Sequence, residues 1–526
     1  MLRTKSRYYL LVLLILLVTA ALACAIGFIS PDSWSYLLLA QSLRRGQGCV
    51  VGGQYVAIWP CGYPMAIALT APSADLANLL ISSKFTNFIL LFSSFLLLAK
   101  ETRNLLVATF IIINPITLSL YQWTWSENLF IFACCGVFFT IARLARGEAT
   151  YRNVALLGLF LLIGCLSRYF FGPFAVVAFL AAWLAYGRQL ALRALPAFMV
   201  AGVFFIAYQT FNASMTGSNT GMGRIPAPES LLFLTVAFIR ASLHEIAVAG
   251  AALIVFLVFS FRHISFVPCG KPLSVERSAY IYFGITGAGY LFLAYLLRAR
   301  TQYDLYDTRT IGYGVVFMLA SLTGLFVRAK AERPYSIPGL FAFWLFPAVV
   351  LGNTSGPWAL RSLLSSVVHG SYKSPGQALA DYRSPPIDAQ VIFSFVIPQV
   401  WTSIASNGEL YYGDKRKIIS PNTGPDSKPE TFSAFMAQVR EHADERCVLD
   451  FNPFANRDDF RQYLEQSVFV DLQFSTLTTH HYVSQPRFDQ ELKSNLMRVF
   501  QPGQYVPCTE IISKLSWMPL LGDSKG

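Results

Sequence analysis

Ser30-Pro31-Asp32-Ser33-Trp34-Ser35-Tyr36 is the stretch on which the reading of this chain turns. It follows directly on a long apolar run, residues 8–29, so a carboxylate lies within a few residues of that run's end. The chain then passes through a Gly-rich loop and Trp59-Pro60-Cys61-Gly62-Tyr63-Pro64 before turning hydrophobic again. A carboxylate at the boundary of a bilayer-length segment is costly unless it is paired or working. Its position among aromatics and rigid turns points to chemistry at a membrane surface.

The rest of the chain supports that setting. Of 526 residues, 54% are hydrophobic and 13% charged, with mean hydropathy +0.48. A soluble protein carries about 25% charged residues, so this composition predicts an α-helical polytopic membrane protein. Apolar stretches predict eleven spans near 8–29, 75–98, 104–121, 127–145, 153–167, 170–186, 190–210, 243–260, 278–297, 310–327 and 337–352. The net charge is +12. With a cytoplasmic N-terminus, the inner segments carry Arg3, Lys5, Arg7, Lys100, Arg103, Arg143, Arg146, Arg152, Arg188, Arg193, Arg262, Lys271, Arg277, Arg328, Lys330 and Arg333. That is the bias the positive-inside rule describes. The same map leaves Asp32, Arg168, Arg224, Arg298, Arg300 and Arg309 on the outside, where topology alone does not explain the arginines.

An alternative for the N-terminus is a signal peptide, with Arg3, Lys5 and Arg7 before the apolar run and Ala21-Leu22-Ala23 before Cys24. The run continues to Ile29, which suits a retained span. The nine cysteines include two pairs on the outer side, Cys49 with Cys61 and Cys447 with Cys508. They are disulfide candidates in an oxidising space, or four separate thiols. No Cys or His spacing of metal-binding type occurs, and His480-His481 stands alone.

Ser33–Arg45 reads as a short amphipathic helix ended by Gly46, with Trp34, Leu37 and Leu38 suited to the membrane interface. Residues 64–71 form a second interfacial candidate within the outer loop 30–74. Two further outer loops cover 211–230 and 298–309. From residue 353 the composition turns soluble. There, strand-like runs (391–396, 409–412, 447–451, 468–474) alternate with helix-like ones (432–445, 460–466, 491–500), which suggests an α/β domain over 353–526 beside a transmembrane domain over 1–352.

Four stretches together resemble the C-type glycosyltransferase superfamily, the GT-C fold that includes protein O-mannosyltransferases and lipid A aminoarabinose transferases. They are Pro31-Asp32-Ser33-Trp34-Ser35-Tyr36 with Ala40 and Gly46; Trp59-Pro60-Cys61-Gly62-Tyr63-Pro64; Trp125-Ser126-Glu127-Asn128-Leu129; and Asp307-Thr308-Arg309-Thr310. The resemblance covers roughly residues 1–330. Protein O-mannosyltransferases carry an Asp-Glu pair in the first loop, whereas Ser33 follows Asp32 here. The departure favours a bacterial-type, aminoarabinose-transferase-like enzyme. The resemblance implies a catalytic Asp in this loop and a phosphate-binding Arg in the last one, which singles out Asp32, Arg309 and, less strongly, Arg300.

Each candidate has a plainer reading. Asp32 is read as a general base for an acceptor hydroxyl, or as the N-cap of a helix starting at Ser33. Arg168, in a tight turn between two spans, suits bidentate phosphate binding, or snorkels to headgroups. Arg309 either binds phosphate or pairs locally with Asp304 and Asp307. Lys84 is expensive inside a span unless it faces a polar cavity. Arg224 lies in a glycine-rich loop. Glu127 either orients an arginine or the acceptor, or is a first-turn acid beside Ser126. Tyr36, Trp59, Tyr63 and Tyr169 suit stacking on sugar or polyprenyl, and equally an ordinary interfacial belt.

The expectation is an inverting membrane glycosyltransferase of glycan biosynthesis in the cell envelope. It moves one sugar from a polyprenyl-phosphate donor to a glycan, lipid or protein acceptor on the extracytoplasmic face of a bacterial inner membrane. Its partners are these two substrates and membrane lipids, not nucleic acid. No cofactor is expected, and a divalent metal is not required. The alternatives are a lipid-linked saccharide transporter or flippase, and an O-antigen polymerase or ligase.

Overall fold

The computed structural model describes residues 2–26, 31–51, 54–102, 104–148, 151–221, 231–261, 264–266, 275–300, 306–329, 339–340, 344, 367–368, 391–394, 417–419, 446–450 and 505–507. Contacts divide the chain into two compact units. One comprises residues 1–47, 57–224 and 231–375, and the other 48–56, 225–230 and 376–526.

The first unit is helical: α1 (Leu2–Ile26), α2 (Pro31–Arg44), α3 (Gly62–Thr70), α4 (Leu76–Thr102), α5 (Leu105–Ile113), α6 (Pro115–Gln122), α7 (Glu127–Ala145), α8 (Tyr151–Ser167), α9 (Phe171–Tyr186), α10 (Arg188–Thr216), α11 (Leu231–Phe259), α12 (Val275–Arg300) and α13 (Thr308–Phe326). Among the described residues, seven helices are long and apolar enough to cross a membrane, or eight if the bent pair α5–α6 is one span. The chain is therefore a multi-pass membrane protein. Its lipid-facing character is plain on α10 and α11, where Val203, Ile206, Val236, Ile239, Leu243 and Val258 are exposed.

Four expectations change. The run 104–121 is two helices bent by 44° at Asn114-Pro115. Pro115 starts α6, and Asn114 closes the break on itself: its amide donates to the Phe110 and Ile111 carbonyls, and its carbonyl accepts from Thr117 N. The runs 153–167 and 170–186 form α8 and α9, apolar helices shorter than the seven spans. The span expected from 243 begins at Leu234, in a helix that starts at Leu231 and buries Glu245. Finally, the α2 side chains expected to face the interface, Trp34, Leu37 and Leu38, are buried where α2 packs on α3 and α4. Most of the eleventh expected span, 337–352, lies outside the described residues.

Among the seven long apolar helices the most enclosed is α7, which packs on α4 and α8 and is buried along almost its whole length. Beneath Glu127, the Phe130 ring meets Phe170, Phe171, Phe174, Tyr290 and Tyr313 at centroid distances of 5.5 to 6.3 Å. Offset and edge-on rings in this range attract beyond their area burial. The cluster fixes α9, α12 and α13 around the start of α7. At the opposite end of the bundle, Lys100, Arg143 and Arg146 gather, and the two-stranded pair β3 (Ile264–Phe266) and β4 (Val327–Ala329) closes it.

In the second unit, β1 (Val50–Val51) pairs antiparallel with β2 (Gln54–Tyr55). A four-stranded sheet has the order β6-β5-β7-β8, from β5 (Val391–Ser394), β6 (Lys417–Ile419), β7 (Arg446–Asp450) and β8 (Tyr505–Pro507). Strands β6, β5 and β7 run parallel and β8 antiparallel. The expected strands 391–396 and 447–451 correspond to β5 and β7. The expected strands 409–412 and 468–474, and the three helices of this region, lie outside the described residues.

Candidate active site

Asp32 is the second residue of α2, two positions inside the helix from where a cap would sit. Its side chain does not serve the helix end. Oδ1 accepts a hydrogen bond from Trp59 Nε1 at 3.3 Å, and Oδ2 is ion-paired with Arg309 Nη1. Asp307, the local partner that the sequence offered Arg309, caps α13: its carboxylate accepts from Thr310 N, and the Thr310 hydroxyl accepts from Asp307 N. Asp304 lies outside the described residues.

Arg309 thereby faces back across the bundle. Its Nε donates to Glu127 Oε1, and its guanidinium lies 4.8 Å from the centre of the Trp125 ring. The same Glu127 oxygen accepts from Arg168 Nη1 at 2.5 Å. Two carboxylates and two guanidinia thus form one chain, Asp32–Arg309–Glu127–Arg168. The side chains are 20, 18, 1 and 12% exposed in that order, so Glu127 is the floor and Asp32 the open end. Among the described residues, Glu127 Oε2 is buried with no hydrogen-bond partner. Ser126 does not cap α7 through its side chain; its hydroxyl accepts from Tyr36 OH at 2.8 Å instead.

Arg168 sits where α8 ends, and its placement depends on Gly62. A Cβ there would lie 2.6 Å from the Leu166 carbonyl oxygen, so only glycine lets α3 start this close to α8. The next residue, Tyr169, donates its hydroxyl to the Ala57 carbonyl and accepts from Asn212 Nδ2 at 2.9 Å. Asn212, the first residue of a glycosylation-type triplet, is buried and carries this bond. Gly221, at φ +75°, presses against the backbone of Ala57 and Ile58. The stretch carrying Trp59 is therefore fixed by α10 and the turn after it.

Tyr36 and Tyr63 are buried and pack edge to face at 5.4 Å, so they support the site from beneath rather than offering ring faces. Burial, then the nearby Glu127 and Asp32 carboxylates, raise the Tyr36 phenol above its ordinary pKa. Burial likewise raises Tyr63, which donates to Asn87 Oδ1 at 2.7 Å. Both stay protonated as donors.

Lys84 is fully buried, and its ammonium does not join the arginines. It donates to the Gln122 carbonyl at 2.7 Å and to Thr124 Oγ1 at 3.0 Å. With Asn87, whose amide donates to the Tyr121 and Trp123 carbonyls, it holds the turn between α6 and α7. That turn presents Trp123 and Trp125, stacked at 5.1 Å beside Arg309. Trp125 opens one of the four quoted stretches, but neither ring was given a site role from the sequence, and Glu245 of α11 was not singled out; the repeated tryptophan of Trp-Thr-Trp was the available signal.

Arg300 is exposed at the end of α12, outside the ion-pair chain. Arg224 lies outside the described residues. Cys49 and Cys61 are both disulfide-bonded. Cys508 and the Cys447 side chain lie outside the described residues. Among the described residues, no group of three or more metal-ligating side chains occurs.

Neither a protein-family model nor a curated protein matches the chain. Solved structures do. ArnT from Cupriavidus metallidurans bound to undecaprenyl phosphate is 11% identical with a TM-score of 0.45, over 99% of this chain and 87% of that one. The apo oligosaccharyltransferase of Archaeoglobus fulgidus is 11% identical with a TM-score of 0.41, over 88% and 72%. With TM-scores below 0.5, neither likeness carries weight for what this chain does.

Proposed function

We propose that this chain is an integral-membrane glycosyltransferase that moves one sugar from a polyprenyl-phosphate donor to an acceptor hydroxyl on the extracytoplasmic face. The observation that carries this reading is the Asp32–Arg309–Glu127–Arg168 chain at one end of the bundle. One carboxylate at the open end suits a base. Two guanidinia behind it suit a monophosphate, which their planar forks bind bidentately.

The mechanism follows from the pairing. A lipid phosphate entering at Arg309 offers it an anion in place of Asp32, so Asp32 can leave the guanidinium and turn to the acceptor. The acceptor oxygen then bonds to the anomeric carbon, and its proton passes to Asp32. The bond from that carbon to the phosphate oxygen breaks, and its electron pair leaves with polyprenyl phosphate. Arg309 and Arg168 stabilise the charge that grows on the leaving group. Glu127, deep and shared, keeps both guanidinia in place. Displacement from the opposite face inverts the anomeric centre. Two arginines supply the positive charge one monophosphate needs, so no resident metal enters the scheme. The donor's sugar, the acceptor class and placement in a bacterial inner membrane remain part of the proposal.

A lipid-linked saccharide carrier is the second reading, favoured by the broken pair α5–α6. Its polar groups are satisfied within the break, and the break is lined by apolar residues.

The test is transfer by the purified full chain from polyprenyl-phosphate sugars, read by mass spectrometry as release of polyprenyl phosphate. Wild type should turn over and Asp32→Asn should not. Release that survives Asp32→Asn, or movement of the intact donor across proteoliposomes with no release, would refute the enzyme reading.

A further inference from the structure

Glu245 takes no part in the ion-pair chain, yet α11 carries it well inside a membrane-spanning helix. Its side chain is 3% exposed. Oε1 accepts from Thr308 Oγ1 at 2.7 Å and lies 3.3 Å from His244 Nδ1, while Oε2 is buried with no hydrogen-bond partner. A carboxylate is among the costliest side chains to place in a span, and a half-satisfied one more so. An aliphatic residue would pack α11 on α13 at less cost. The carboxylate therefore has a use that packing does not supply.

That use is visible in what it holds. Thr308 is the first residue of α13, and Arg309 is the next. Phe238, seven residues before Glu245, lies on the same face of α11. Its ring meets Tyr295 at 5.4 Å and Tyr306 at 5.2 Å. Tyr306 donates its hydroxyl to the Tyr295 carbonyl at 3.2 Å, and the Tyr295 hydroxyl meets Thr235 Oγ1 at 2.9 Å. One face of α11 thus grips residues 306–308 at two heights, by rings above and by a carboxylate below. Arg309 must reach Asp32 with one nitrogen and Glu127 with another, and a fork of that kind tolerates little displacement of its backbone.

We propose that Glu245 is a positioning residue for Arg309: through Thr308 it fixes the first turn of α13, and so the guanidinium that receives the donor phosphate. The second half rests on the reading of Arg309 given above; the first does not. The test uses the full chain in detergent with two readouts. Hydrogen exchange of the 306–313 peptide reports the first turn, and equilibrium binding of undecaprenyl phosphate reports Arg309.

Glu245→Leu removes the bond at the cost of repacking. Thr308→Val removes the same bond with nearly unchanged shape. Both should speed exchange in 306–313 and weaken binding by about tenfold, the effect of one net hydrogen bond. The double variant should do no more than either alone. Glu245→Gln keeps an acceptor for Thr308 and should restore both readouts. Unchanged exchange and affinity in Thr308→Val would overturn the inference, as would a Glu245→Gln variant as impaired as Glu245→Leu. If exchange responds but wild type fails to bind undecaprenyl phosphate, the positional tie stands and the donor reading falls.

Discussion

Glu127→Gln is the substitution that asks most of the ion-pair chain. It keeps the side chain's shape and removes the charge that Arg168 and Arg309 share at Oε1. At an effective dielectric constant of about 20, each such pair amounts to roughly 4 kcal/mol at contact, before the cost of burying the charges. Removing one partner of a buried pair destabilises by about 3–5 kcal/mol, because the remaining charge stays in place. Two features reduce the figure. Arg309 keeps Asp32, and Arg168 is 12% exposed and can draw water. The expected loss is therefore at the low end, about 3 kcal/mol. In a chain of this length it should appear as a drop of about 3 °C in Tm, measured by intrinsic fluorescence at matched scan rates. A double-mutant cycle with Arg168→Gln isolates the pair, and its coupling should be about 2 kcal/mol. An unchanged Tm for Glu127→Gln, or strictly additive variants, would refute the claim that this carboxylate anchors the guanidinia.

Lys84→Met should lower stability by about 2 kcal/mol, since it leaves the Gln122 carbonyl and Thr124 hydroxyl short of a buried donor; the same melting assay reads it. Cys49 and Cys61 should resist maleimide until a reductant is added, which mass spectrometry of non-reduced peptides checks. Glu148 is exposed at the basic end, and its hydrogen bond from Arg143, with the charges nearby, holds its carboxyl below the ordinary value of 4.5. Its folded-state pKa is the lower one, so its contribution is present above about pH 4.5 and fades as pH falls further. Melting curves of Glu148→Gln should therefore converge on wild type in acid and separate from it towards neutrality.

What could be read from the chain alone follows from which forces act locally. The helices α1, α4, α7, α12 and α13 are apolar runs of bilayer length, and hydropathy finds such runs. The N-terminal half of α11 escaped because Arg240, His244 and Glu245 interrupt its apolar pattern; burial of Glu245 against Thr308 offsets that interruption only in the folded bundle. Asn114-Pro115 was a legible break, but a window of span length averages across it. Trp34, Leu37 and Leu38 would look the same facing lipid or protein, and only packing on α3 and α4 decides. The individual members of the site were legible as charges out of place. Their connections were not: Glu127 lies 41 residues from Arg168 and 182 from Arg309. The hydrogen bonds of Lys84 were hidden for the same reason, because they reach a backbone carbonyl and a hydroxyl of a distant turn.

The most direct measurement is an experimental structure of the full chain with polyprenyl phosphate bound. The account predicts a phosphate oxygen about 2.8 Å from the Arg309 guanidinium, as charge-assisted bonds require, with Asp32 turned away from that arginine. A phosphate bound elsewhere, with the Asp32–Arg309 pair intact, would contradict it.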